Sequence, residues 1–173
     1  MTLRLLPTII IILSLIVLFA GCSTSVKESR ISYQMGERAV VGPLTYVVAS
    51  THWSGQLGDV PMLRFPHHRF LTIHVTITNG GGQDVSLPLL SLEDASGERI
   101  QELQQGDGVS RWLGLLRTLR PAETIQGNIL FDVPAASYRL RLTDGGDPEM
   151  EKTAFVEIPL QVDQELILPG EIK

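Results

Sequence analysis

The clearest pattern in the chain is an alternation with a period of two. Between Phe70 and Thr78, Leu71, Ile73, Val75 and Ile77 fall on one side, and Thr72, His74, Thr76 and Thr78 on the other. Successive side chains of a strand point to opposite faces, so this stretch predicts a strand with one packed and one wet face. Ile125, Gly127, Ile129, Phe131 and Val133 alternate in the same way with Gln126, Asn128, Leu130 and Asp132, as do Tyr138, Leu140 and Leu142 with Arg139, Arg141 and Thr143. Thr45–Trp53 is β-branched and aromatic and predicts a further strand. Val85–Glu93 predicts one that Pro88 interrupts, since proline has no N–H for the ladder. Glu98–Gln101, Thr153–Ile158 and Gln161–Leu168 are less regular candidates. Asn79-Gly80-Gly81-Gly82 and Asp94-Ala95-Ser96-Gly97 supply turns, and Ser54–Pro66, with its Gly and Pro, reads as a loop. About eight short strands with one-sided alternation predict an all-β chain folded as an antiparallel β-sandwich.

The pattern breaks in two places. Leu5 to Ala20 is uncharged and rich in Ile and Leu, and follows Arg4. A short basic start, an apolar middle and small residues at the end make a secretory signal. A permanent span needs about 20 apolar residues, more than this run offers, so cleavage is favoured. The second break is Ser110 to Arg120. At helical spacing Trp112, Leu115, Leu116 and Leu119 share a face, although Gly114 costs such a helix about 1 kcal/mol against alanine. Arg111, Arg117 and Arg120 bring positive charge into an acidic chain. Two readings follow. The segment is a crossover capping one end of the core, or Trp112, Leu115, Leu116, Leu119, Arg111 and Arg117 form an exposed patch for a partner or for anionic head groups. Burial of Trp112 and Leu116 separates the two.

Leu18-Phe19-Ala20-Gly21-Cys22 resembles the lipobox of bacterial lipoproteins. The resemblance implies a diacylglyceryl group on the Cys22 sulfur and cleavage after Gly21, with Phe19 departing from the usual leucine. Cys22 is the single cysteine, so no intrachain disulfide can form, and acylation removes a thiol unusual in an exported chain. Ser23 implies release to the outer membrane, facing the periplasm, in diderm bacteria of the enteric type. In other hosts the anchor sits on the outer face of the plasma membrane. The expected organisation is a signal peptide over 1–21, a lipidated polar tether over 22–30 and a sandwich over 31–173. Gln161–Lys173 either completes the sandwich or trails from it.

Further stretches resemble one family. They are Phe70–Asn79, which ends in an Asn; Leu92-Glu-Asp-Ala-Ser-Gly97; Leu119–Gly127 followed by Ile129–Pro134; and Tyr138–Leu142. Together these resemble the bacterial extracellular immunoglobulin-like domain of unknown function, from about Met35 to Asp144, with Ala122 where the family usually has Gly. The resemblance implies an immunoglobulin-like sandwich. It carries no catalytic residues and no cofactor.

The formal net charge is −5, and −6 once Arg4 leaves with the signal, which argues against nucleic acid as a partner. His52 and His74 could meet on neighbouring strands, whereas adjacent His67 and His68 would point apart. Asp144, Asp147, Glu149 and Glu151 flank a Gly pair without the spacing of a calcium loop. There is no Gly-x-Ser-x-Gly elbow and no phosphate loop before a helix. These features predict a non-catalytic, lipid-anchored module that binds an envelope protein or serves as an accessory. A structural spacer is the second hypothesis and a hydrolytic or metal-dependent enzyme the third. No metal or cofactor is expected.

Overall fold

The computed structural model describes residues 31–161 apart from Leu116 and Pro148. The signal peptide, Cys22, the tether and the expected strand beyond Gln161 lie outside the described residues. The rest is all-β, as the alternation predicts. In chain order the strands are β1 (Ser32–Tyr33), β2 (Arg38–Val41), β3 (Leu44–Ser54), β4 (Arg69–Asn79), β5 (Val85–Ser86), β6 (Ser91–Glu93), β7 (Arg99–Gln101), β8 (Thr118–Leu119), β9 (Thr124–Val133), β10 (Tyr138–Thr143) and β11 (Thr153–Ile158). One sheet has the order β1-β11-β10-β6-β7, the other β2-β3-β4-β9, and β5 and β8 pair separately.

The two sheets enclose a single core. Leu71, Ile73, Val75 and Ile77 of β4 are each fully buried and meet Ile129 and Phe131 of β9 and Leu140 and Leu142 of β10. Burying such side chains contributes about 1.5–3 kcal/mol each. Tyr46 crosses between the sheets, its hydroxyl donating to the Thr143 carbonyl at 2.7 Å. Burial raises the Tyr46 phenol well above its ordinary pKa, so the group stays protonated and keeps donating. At the β9–β10 corner the Tyr138 hydroxyl donates back to the Pro134 carbonyl at 2.8 Å, the bond of a tyrosine corner.

Asn79 ends β4 fully buried. Its Nδ2 donates to the carbonyls of Gln83 at 2.8 Å and Leu119 at 3.0 Å, and its Oδ1 accepts from Gly81 N at 2.8 Å. One side chain therefore ties the glycine turn to the start of the segment leading into β9.

Two departures from strict alternation shape the outer face of the four-stranded sheet. In β3, Val48 pairs Val75 but Ser50 pairs His74, so Ala49 is an extra residue. This bulge reverses side-chain parity. Leu44, Tyr46 and Val48 point inward before it; after it Trp53 packs on the core, and Ser50 and His52 turn outward. The second departure is burial of Leu130 and Phe70 on the nominally wet side. The chain around residues 57–68 and 103–113 folds over that half of the sheet: Leu103 N donates to Leu130 O at 2.7 Å, and Arg64 stacks 5.6 Å from the Phe70 ring centroid.

The predicted strand Val85–Glu93 is two strands in different sheets, with Pro88 in the break. The expected helical face over Ser110–Arg120 does not form. Trp112 bridges Asn128 in parallel, and Thr118–Leu119 is strand β8. Around Trp112 the chain runs along β9 because it borrows hydrogen bonds from that strand's edge: Asn128 N donates to Arg111 O at 2.9 Å and Leu113 N to Asn128 O at 3.0 Å. Satisfying an otherwise open strand edge outweighs the helical propensity of a leucine-rich stretch interrupted by Gly114.

Candidate functional site

The 103–113 strap is seated by two glycines. A Cβ placed on Gly106 would lie 2.0 Å from Trp112 Cδ2, so the indole rests directly on the Gly106 backbone. A Cβ on Gly127 would lie 2.5 Å from the Arg111 carbonyl oxygen, in the path of the strap's hydrogen bonds to β9. Gly106→Ala is expected to cost about 1–3 kcal/mol through overpacking against the ring. Urea unfolding followed by tryptophan fluorescence measures this, and Trp112 should be the side chain that moves.

Beneath the strap, Arg117 and Glu102 form a buried pair. Their side chains are 2% and 0% exposed, with Arg117 Nη2 at 2.7 Å from Glu102 Oε1. Glu102 Oε1 also accepts from Leu90 N at 2.8 Å. Arg117 Nε donates to the Gly114 carbonyl. Burial raises the Glu102 carboxyl above its ordinary value, opposed by the Arg117 charge and by the two hydrogen bonds. Arg117 Nη1, Glu102 Oε2 and Trp112 Nε1 are buried without a hydrogen-bond partner. Each such atom costs about 1–3 kcal/mol.

These facts divide the residues grouped by the sequence. Leu119 is fully buried in the core and Arg117 in its ion pair, so neither belongs to an exposed patch. Trp112, Leu113 and Leu115 are half-buried, Arg111 is exposed, and Leu116 lies outside the described residues. Arg111, Trp112, Leu113, Arg117, Thr118, Ile125 and Gln126 line a cavity of about 440 Å³.

A second cavity, of about 240 Å³, lies on the outer face where the bulge turns β3 outward. Ser50, His52, Thr72, His74 and Asn128 line it below, and Leu57 and Gly108 to Ser110 above. His52 pairs Thr72 and Ser50 pairs His74, so the two histidines do share a face. His74 is held by a directed chain. Asn128 Nδ2 donates to Ser110 O at 2.7 Å, which turns Asn128 Oδ1 towards His74 Nδ1 at 2.8 Å. Gln126 Nε2 donates to His74 Nε2 at 2.8 Å. The chain requires the Nδ1–H tautomer and engages both ring nitrogens. His67 and His68 serve the backbone instead: their N–H groups donate to Asp132 Oδ2 at 2.7 Å and Oδ1 at 2.9 Å.

The acidic run before β11 is occupied as a turn. Glu151 holds Arg141 at 2.6 Å and Thr143, and Asp144 Oδ1 accepts from Gly146 N and Lys152 N. Among the described residues no group of three or more His, Cys, Asp or Glu side chains converges as a metal site.

A cluster of exposed apolar side chains lies elsewhere. Val60, Met62 and Phe65 are 81%, 79% and 70% exposed, all in the loop between β3 and β4. The loop is pinned at its base. Leu57 and Arg64 exchange backbone hydrogen bonds at 2.9 Å, and Arg64 Nη1 donates to the carbonyls of Gln105 and Asp107 at 3.1 and 2.9 Å. Gly58 and Gly108, at φ 77° and 82°, approach so closely that a Cβ on Gly108 would lie 2.6 Å from Gly58 N. The sequence signal was three large apolar residues in a Gly- and Pro-containing loop, a placement that no packed element calls for.

No curated protein matches the sequence. Solved structures share the sandwich. The yjhA protein from Bacillus subtilis aligns with a TM-score of 0.57 at 17% identity, over 73% of this chain and 98% of that one. A proposed lipoprotein, ycdA, from Bacillus subtilis aligns with 0.55 at 13% identity, over 73% of this chain and 39% of that one. The secreted protein MPT63 from Mycobacterium tuberculosis aligns with 0.50 at 17% identity, over 75% of this chain and 98% of that one. At these identities the likeness is one of fold. Residues 33–155, nearly the whole of the described sandwich, match the family described as Domain of unknown function (DUF4352), and the chain belongs to that family.

Proposed function

We propose that this chain is exported, cleaved after Gly21, lipidated on Cys22 and held at a membrane surface as a non-catalytic binding module for an envelope protein. In a diderm host Ser23 directs it to the outer membrane, facing the periplasm. The observation that carries the binding role is the pinned loop with Val60, Met62 and Phe65 exposed. Exposed apolar groups on a braced loop make a contact surface that pays little ordering entropy on binding. The chain enters β1 at the Thr143 end of the sandwich, since Phe155 N donates to Ile31 O and Thr153 pairs Thr143. The loop leaves β3 at the opposite end, after Ser54. The tether side and the contact loop therefore lie about one strand length apart, roughly 36 Å at ~3.3 Å per residue. The DUF4352 match and the likeness to a secreted protein and a proposed lipoprotein support an extracytoplasmic setting.

The test is cross-linking of the full chain in cells from a photoreactive residue at Met62, with the same probe at Lys152 as the comparison. A discrete product from Met62, lost in Val60→Ser/Phe65→Ser, is expected. Equal or absent products from both positions would favour the spacer reading instead. Cys22→Ala should in parallel move the protein from the membrane to the soluble fraction. An unprocessed, membrane-bound variant would replace the lipid anchor with an uncleaved one.

A further inference from the structure

The geometry points to a two-histidine site for a divalent transition metal on the outer face of the four-stranded sheet, with His52 and His74 as its protein ligands. It stands independently of the Val60–Phe65 loop. The bulge at Ala49 is what brings the two rings together. It turns Ser50 and His52 outward, where Ser50 pairs His74 and His52 pairs Thr72. His52 and His74 are therefore diagonal neighbours on one face, and both line the cavity of about 240 Å³. Side chains at such diagonal positions start roughly 7 Å apart, within mutual reach for aromatic rings.

His74 is set up as a ligand. A metal-bound histidine commonly donates its second ring N–H to a carbonyl or carboxylate, which fixes the tautomer and leaves the other nitrogen's lone pair for the metal. Here Nδ1–H donates to Asn128 Oδ1 at 2.8 Å, and Asn128 is held in turn by its own bond to Ser110 O at 2.7 Å. Nε2 is then the nitrogen with the lone pair. It accepts from Gln126 Nε2 at 2.8 Å, and because Gln126 is exposed its amide can turn to water and release Nε2. His52 is exposed and can lean towards it. No lysine or arginine lines the cavity, and the chain is acidic, so no lining charge repels a cation. Ligand type selects the metal. Two imidazoles with water in the remaining positions make an open site suited to copper, nickel or zinc, copper(II) being held most tightly. Calcium and magnesium call for carboxylate oxygens, and no carboxylate lines the cavity.

The full chain without an affinity tag, in neutral detergent and a non-coordinating buffer, is titrated with copper(II) alone by calorimetry and read in parallel by electron paramagnetic resonance. Saturable binding of one copper(II) per chain is expected, with coupling to imidazole nitrogen in the spectrum. His52→Gln and His74→Gln should each weaken the apparent Kd by roughly tenfold or more, because a second imidazole on the same chain binds at high effective concentration only while both are present. Gln126→Leu, which removes the competitor for His74 Nε2, should bind at least as tightly as its parent. His67→Gln/His68→Gln, at the adjacent pair whose backbone serves Asp132, should bind unchanged. All variants share one N-terminus, so differences between them report the imidazoles. The site is refuted if copper(II) does not saturate, if His52→Gln binds like its parent, or if His67→Gln/His68→Gln abolishes binding. His52→Gln, at an exposed side chain, decides the matter should His74→Gln fail to fold.

Discussion

Arg117→Met should destabilise the sandwich by about 3–5 kcal/mol at neutral pH, because it leaves the Glu102 carboxylate buried without its counter-charge. Glu102 is fully enclosed, and Leu90 N would be its one remaining hydrogen-bond donor. The loss should depend on pH in a defined sense. Burial already raises the folded-state pKa of Glu102, so the folded chain binds that proton more tightly than the unfolded chain. Stability from this group is therefore fully present below the ordinary carboxylate value and falls as pH rises through the folded value. Removing Arg117 takes away a charge that lowers the pKa, which moves the folded value higher still. The variant's deficit should be smallest in acid and grow towards neutrality. Urea unfolding at several pH values measures it. A second variant, Glu102→Gln/Arg117→Met, should recover part of the deficit and lose the pH dependence. A deficit independent of pH would mean that packing, not the pair, is what Arg117 supplies.

Asn79→Asp is expected to be of similar size, about 3–5 kcal/mol at neutral pH, despite its near-identical shape. Asn79 Nδ2 donates to two carbonyls and the group is fully buried. An aspartate has no donor there and would set a charge against the Gln83 and Leu119 oxygens. In acid the protonated carboxyl regains one donor, so the deficit should shrink as pH falls. Denaturation at neutral and acid pH checks this, with Asn79→Ala, which removes donor and acceptor without adding charge, expected to show no such recovery.

What could be read from the sequence was what period and turn chemistry encode. The alternation in Phe70–Thr78, the Asp94–Gly97 turn and Pro88 as an interruption all have local causes, and the structure places them accordingly. The short strands β1, β2 and β8 have no such signature, since two to four residues define no period. Leu119 shows the limit on spacing. A helical face and a strand over the core both accept Leu at that position, and only the pairing of Leu119 with Val85 on β5, distant in sequence, decides between them. Arg117 was legible as a charge in an apolar run, but its partner lies fifteen residues away in sequence and meets it only through the fold. The alternation puts Leu130 on the wet side of β9, and its burial comes from chain that follows no rule of the strand itself.

The bulge at Ala49 makes β3 one strand with two reading frames. Before it, even-numbered residues belong to the core; after it, odd-numbered ones do. Removing Ala49 would join Val48, paired with Val75, directly to Ser50, paired with His74, so Trp53 would stay towards the core and Ser50 and His52 towards the outer face, and only the local bend would go. The extra residue is thus a place where β3 can lose a residue or change one, Ala49 being exposed, with both frames and the facing of the imidazole-lined cavity intact. In descent, then, this strand should vary freely at that one position, in composition and by a single residue in length, and hardly at all elsewhere.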